Sequence, residues 1–170
     1  MVLGTAYDQL HGLEEAMLAR GIDADRVVGA RAEKKFTTQK ADFESRYRAG
    51  VRPVLLGLGT AWTGVNFVDE SAQPGDDFLL TDLVILRLPL GLNRTTAMTS
   101  RIDRMGMYPI INEALIILKQ GLGRLIRRDG LTDRRLWVLD GRIWQPWPGM
   151  EPLTGAVRQM LSDYDRRRCF

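Results

Sequence analysis

The chain has 170 residues, of which 45% are hydrophobic and 26% are charged, and its net charge is +3. These values exclude a disordered or low-complexity chain and predict one folded domain, while the charge alone does not indicate a nucleic-acid partner. The single cysteine, Cys169, excludes an intrachain disulfide. No apolar run approaches the ~20 residues of a membrane helix, so we expect a cytoplasmic protein with no membrane partner.

Short apolar segments alternate with amphipathic segments in the first part of the chain. Residues 2–5 are a strand candidate, and a helix with apolar residues three and four positions apart follows and ends at Gly21. Val27 and Val28 form a second brief strand candidate. A polar helix over 37–50 then precedes a strand over 53–58.

The second part of the chain repeats this alternation. Residues 83–88 and 136–139 are apolar runs of strand length, and the longest helical pattern lies between them, over 108–128. A last helix is predicted from 154 to about 167.

Continuously apolar strands between helices indicate a mostly parallel sheet that is covered on both faces, the α/β class. Two segments interrupt this pattern. Residues 69–82 are acidic and contain Pro74 and Gly75, and residues 91–106 are polar with three arginines. We predict both to be surface excursions from the sheet.

The strongest local signal is the string QGLGRLIR at residues 120–127. Arg124 and Arg127 are three residues apart, so both project from one helix face, with Gln120 one turn earlier. Two guanidiniums on one face form a permanently charged clamp for phosphate oxygens. The alternative is a solvated basic helix end, where arginine complements the helix dipole.

This string resembles Q-x-x-G-R-x-x-R, the last conserved motif of superfamily 2 helicases, in the form found in the XPD/DinG clade. Residues 57–66 (GLGTAWTGVN) resemble motif V of that clade, and residues 2–7 (VLGTAY) resemble motif IV. The strand I-x-K-L-P-F is matched at 83–90, and the strand V-x-D-x-R at 137–142. The motifs occur in the order of the family and cover nearly the whole chain.

The resemblance implies a RecA-like three-layer domain over residues 1–170, the second motor domain of an ATP-dependent helicase that moves 5′-to-3′ on DNA. No G-x-x-x-x-G-K-[ST] loop and no D-E-x-H box occur in the sequence. In the family these belong to the first motor domain, which is therefore expected to be absent here. We expect this chain alone to be inactive as an ATP hydrolase.

The resemblance also implies cofactors and partners. ATP and Mg²⁺ would be shared with the missing first motor domain, and single-stranded DNA would be the substrate. One cysteine leaves no four-cysteine iron–sulfur cluster in this chain. No residue is assigned as a metal ligand.

The nucleotide-facing residues implied by the family motifs are Arg127 and Arg124, which would act together as an arginine finger, and Gln120, which would sense the nucleotide. Three further residues complete the nucleotide-binding set: Gly123, Gly64 and Asn66.

Four residues are assigned to the nucleic-acid strand, namely Thr5, Tyr7, Thr60 and Trp62. Trp62 would stack on a base, or it would be a core residue. Tyr7 would likewise contact the strand or pack where the first helix begins. These alternatives stay open at the level of sequence.

Two departures from the clade point to a divergent branch. Thr63 stands where the clade usually has Glu, and Asn66 where it usually has Asp, so both positions keep hydrogen bonding but lose charge. CRISPR-associated DinG-like helicases are one such branch, for which a CRISPR effector complex would be a partner. Two other functions stay open: a non-catalytic RecA-like docking module for nucleic acid or protein, and a free-standing nucleotide-binding enzyme.

Overall fold

A computed structural model describes residues 1–63, 66–68, 79–91, 95–125, 134–144, 148 and 151–162. Its strands form one sheet in which every neighbouring pair is parallel. The strands are β1 (Val2–Leu3), β2 (Val27–Val28), β3 (Val54–Gly57), β4 (Asp82–Ile85) and β5 (Arg135–Val138), in the order β2-β3-β1-β4-β5. This confirms the predicted parallel α/β sheet.

Helices lie between β1 and β2, between β2 and β3, and between β4 and β5, and a further helix follows β5. Such crossovers are what parallel strands require. The helices are α1 (Tyr7–Ala19), α2 (Phe36–Arg48), α3 (Thr96–Met105), α4 (Tyr108–Leu122) and α5 (Glu151–Met160). The predicted stops after α1 and α2 are confirmed, because Gly21 and Gly50 have φ of +82° and +80°. In the described part of the chain, no helix is long and apolar enough to cross a membrane.

Both faces of the sheet are buried along β1, β2 and β3, which is why these strands are apolar without a polar alternation. The edge strand β5 differs, because its Arg135 and Trp137 are exposed. One face packs on α1 through a cluster made of Val2, Leu10, Val27 and Leu56. The other face packs on α2, α4 and α5, in a larger cluster that includes Leu3, Leu55, Phe43, Leu118 and Val157. Each of these large side chains contributes about 1.5–3 kcal/mol by leaving water.

The surface excursion predicted over 91–106 contains helix α3, which the sequence did not predict and whose residues are exposed apart from Met98 and the half-buried Ile102. The Thr95 hydroxyl accepts a bond from the Met98 amide at 3.3 Å and so caps the first turn. Met98 is buried, and Gly106 (φ +62°) ends the helix. Most of the other predicted excursion, 69–78, lies outside the described residues.

Two helix boundaries also differ from the sequence prediction. Helix α4 ends at Leu122, six residues before the predicted limit, and residues 126–128 lie outside the described residues. Helix α5 begins at Glu151, three residues early, because Leu153 is a core residue and Thr154 is buried with it. The predicted continuation over 163–167 also lies outside the described residues.

Candidate functional site

The carboxyl ends of parallel strands share one edge of the sheet, the usual ligand site of open α/β folds. A cleft of about 260 Å³ opens at this edge, beyond the ends of β1, β2 and β3. We call it the edge cleft. Its lining consists of Tyr7, Ala30, Arg31, Lys34, Lys35, Phe36, Gln39, Leu58, Gly59 and Thr60.

The edge cleft brings together two residues that the sequence assigned to a nucleic-acid strand. Tyr7 begins α1 and is 45% exposed. Thr60 lies in the 3-10 turn Gly59–Ala61 that follows β3, and it is exposed. A ring and a hydroxyl are thus presented to the same ligand space.

Thr5, the third such residue, lies just after β1 and is half-buried. Its hydroxyl donates to Oε1 of Gln9 at 3.2 Å, and its amide donates to the same oxygen at 3.4 Å. Thr5 is not part of the cleft lining. Its bonds to Gln9 fix the turn that leads from β1 to Tyr7.

The basic wall of the edge cleft was not found by sequence reasoning. Arg31, Lys34 and Lys35 follow β2 and line the same cleft as the predicted residues of motifs IV and V. A signal was present, because three of the five residues 31–35 are basic and they come directly after a predicted strand. In a parallel sheet that position places them at the ligand edge.

Trp62 occupies the core position that the sequence left open as an alternative. Its side chain is 1% exposed, and its Nε1 donates to the carbonyl of Gly4 at 2.8 Å. A base cannot stack on an indole with so little free surface, so the predicted contact of Trp62 with nucleic acid is wrong. The indole instead ties the end of motif IV to motif V.

Arg124 is also buried, at 4% exposure. Its Nη2 donates to the carbonyl of Trp62 at 3.4 Å, which joins the QGLGRLIR segment to motif V. This guanidinium is a link between two motifs, and the expected presentation of Arg124 to a nucleotide is not what the structure has.

Of the other residues predicted to face the nucleotide, three lie within the part of the chain that the structure describes. Gln120 is exposed on the last turn of α4, Gly123 follows that helix, and Asn66 is exposed at the end of motif V. Arg127 and Gly64 lie outside the described residues.

Two other family motifs meet at Asp140. Its carboxylate accepts from the Leu88 amide at 2.7 Å and from Nη2 of Arg142 at 2.5 Å. Burial raises the pKa of Asp140, but the bonds from Arg142 and the two backbone amides outweigh it, and the pKa lies below its usual value. This ionised carboxylate fixes the end of β5 against the segment after β4.

Comparison with known proteins agrees with this arrangement of motifs. Residues 1–147 match the family described as helicase C-terminal domain. The chain is 30% identical over 156 residues to the 3'-5' exonuclease DinG of Bacillus subtilis (strain 168), an alignment that covers 84% of this chain. The chain spans only 15% of the length of that relative.

Proposed function

This chain belongs to the helicase C-terminal domain family, and we propose that it is the second motor domain of an ATP-dependent, XPD/DinG-type DNA helicase. One observation carries the proposal. Trp62 of motif V contacts Gly4 of motif IV, and it also contacts Arg124 and Gly121 of the QGLGRLIR segment. Contact among the three motifs is what a domain needs if it couples a nucleotide to a strand.

On the nucleotide side, Arg127 would act as the arginine finger, and Arg124 would position the segment that carries it through the Trp62 carbonyl. The guanidinium of Arg127 and the exposed amide of Gln120 are groups suited to phosphate oxygens, so these two donors would fit ATP. ATP, when bound, supplies the phosphoryl transfer that drives movement. Gly123, Gly64 and Asn66 would complete this side.

The expectation that the first motor domain supplies the Mg²⁺ ligands stays part of the proposal. Within the described residues, no group of three or more His, Cys, Asp or Glu side chains could hold a metal ion. The proposal assigns the phosphate-binding loop to the first motor domain as well. This chain would contribute the positive charge of Arg127 toward the phosphates and the contacts of Arg124 that position the segment carrying it.

On the strand side, the edge cleft would hold single-stranded DNA. Tyr7 and Thr60 supply a ring and a hydroxyl, while Lys34 and Lys35 supply charge toward the phosphates. Binding of this kind weakens steeply with salt, because neutralised phosphates release counterions. The 5′-to-3′ direction and the CRISPR-associated branch stay predictions from the resemblance.

The test is to measure the 170-residue chain with and without the first motor domain of the same protein. We expect the chain alone to bind single-stranded DNA and to show no ATP turnover above background. Adding the first motor domain should create DNA-stimulated turnover. Turnover by the chain alone would favour the free-standing enzyme, and no turnover in the combination would favour the docking module.

A further inference from the structure

An ion pair at the edge cleft joins two elements that the motifs do not include. Glu14 lies on α1 and is 9% exposed, and its carboxylate accepts from Nη1 and Nη2 of Arg31 at 2.6 Å each. Arg31 follows β2 and lines the edge cleft. The ion pair is bidentate, and its two parallel hydrogen bonds fix the orientation of the guanidinium.

The pair leaves one edge of the Arg31 guanidinium for a ligand. Nη1 also donates to the Ala30 carbonyl at 3.1 Å, so both of its hydrogens are used. The remaining donors are Nε–H and the second hydrogen of Nη2, which lie side by side. Within the described part of the chain no acceptor meets Nε, and the side chain is 39% exposed. Two parallel N–H groups match two oxygens of a phosphate.

The backbone is shaped around this ion pair. A β-carbon at Gly29 would come within 2.5 Å of both Nη1 of Arg31 and Oε2 of Glu14, so a larger residue at this position would displace the ion pair from its present geometry. The Gly29 carbonyl is held by Nε2 of Gln39 at 3.1 Å. Arg31 also lowers the pKa of Glu14, which keeps the carboxylate ionised. The geometry is therefore set before any ligand arrives.

We propose that Arg31 binds a backbone phosphate of single-stranded DNA through its Nε–Nη2 edge, and that Glu14 is the residue that positions it. This inference rests on the proposed function, in which DNA occupies the edge cleft. Since Glu14 balances the charge of Arg31, the pair contributes a directed short-range bond. Lys34 and Lys35, both exposed, contribute the long-range attraction.

The main experiment uses a substitution that keeps the net charge. Glu14→Gln with Arg31→Gln removes one negative and one positive group, so steering by charge is unchanged. We expect the 170-residue double variant to bind a fluorescent oligothymidylate about tenfold more weakly, with an unchanged slope of log K against log salt. Lys40→Gln with Glu44→Gln removes another ion pair, on α2 and outside the cleft, and should bind like the wild type.

Glu14 has its own readout. Glu14→Gln alone removes a negative charge, which by charge alone strengthens DNA binding, yet we expect binding to weaken about threefold because Arg31 loses its orientation. The control is Glu15→Gln on the same helix, an exposed residue paired only with His11 among the described residues. Equal strengthening by both variants would overturn the positioning role of Glu14.

Other outcomes separate the inference from the proposed function. Wild-type binding by the folded double variant would overturn the inference and leave the proposed function intact. If the wild-type chain does not bind DNA, both the role of Arg31 and the proposal that the edge cleft holds single-stranded DNA are overturned. A further outcome is that millimolar ATP displaces DNA from the wild type but not from Arg31→Lys. That result would mean that Arg31 binds a phosphate of a nucleotide, and it would overturn the proposal that Arg31 binds a phosphate of DNA. If thermal unfolding shows that the double variant is unfolded, Arg31→Lys is measured in its place. Lysine keeps the positive charge but lacks the paired N–H groups of the guanidinium, so we expect the same tenfold loss of affinity for DNA.

Discussion

Gly121 lies so close to Trp62 that a β-carbon at residue 121 would come within 2.9 Å of Cε3 of the indole and 3.3 Å of Cδ1 of Leu3. The glycine of the QGLGRLIR segment thus allows α4 to approach motif V and the central strand β1. A glycine in a helix costs about 1 kcal/mol relative to alanine. Here the close approach explains why that cost is accepted.

The first prediction is that Gly121→Ala destabilises the domain by about 1–3 kcal/mol. Overpacking against the rigid indole and Leu3 outweighs the gain in helix propensity. Thermal unfolding of the purified chain measures the change. Gly12→Ala is the matched control, because Gly12 lies within α1 with nothing within 4 Å of its β-carbon position and should gain up to about 1 kcal/mol.

The second prediction separates the core role of Trp62 from a role in binding. Trp62→Phe removes the Nε1 group that donates to the Gly4 carbonyl, so this buried oxygen loses that hydrogen bond. We therefore expect the free energy of unfolding to fall by about 2 kcal/mol. Affinity for single-stranded DNA should stay within about twofold, measured below the melting temperature. A loss of binding by the 1–3 kcal/mol typical of base stacking would restore the stacking role.

Burial by distant parts of the chain decided which features were predictable from the sequence. Strands β1, β2 and β3 were predictable because both faces of the sheet are buried there, so even the two-residue β2 reads as Val-Val. The assignment of Trp62 to the nucleic-acid strand was wrong because its burial depends on the approach of Gly121 from a helix about 60 residues away, which the local sequence does not reveal. Arg31 was missed because its role depends on Glu14 from another element. Helix α3 was missed because its exposed face is polar and it buries one main residue, Met98.

The third prediction concerns Arg127. In the protein joined to its first motor domain, Arg127→Ala should lower ATP turnover by about 10³-fold or more, because an arginine finger stabilises charge in the transition state. The affinity for ATP should change by less than about tenfold. Arg101→Ala, on the exposed face of α3, is the control and should leave turnover unchanged. Unchanged turnover in Arg127→Ala would remove this residue from the mechanism.

The fourth prediction concerns the lysines of the edge cleft. Lys34→Ala and Lys35→Ala should each weaken binding to single-stranded DNA and lower the slope of log K against log salt by about 0.7, the value for one phosphate contact. Arg20→Ala removes an exposed charge outside the cleft and should keep the slope. Equal effects from all three variants would mean that net charge, and not the cleft, governs binding.

The fifth prediction concerns the amino group of Met1, which begins the central strand β1 region and donates to the Asp82 carbonyl at 2.8 Å. Burial lowers its pKa to about 6, and the nearby Asp82 carboxylate only partly offsets this. Because the folded chain binds this proton more weakly than the unfolded chain, whose amino group has a pKa near 8, protonation favours unfolding.

The free energy of unfolding of this chain should therefore rise by about 2 kcal/mol between pH 6 and pH 8 through this group. Urea unfolding at several pH values measures the rise. Acetylation of the amino group, or extension of the chain before Met1, replaces the amine by an amide that does not titrate, so this contribution should disappear. The same rise in the acetylated chain would show that the pH dependence arises from other groups, and that the Met1 amine keeps its ordinary pKa in the folded protein.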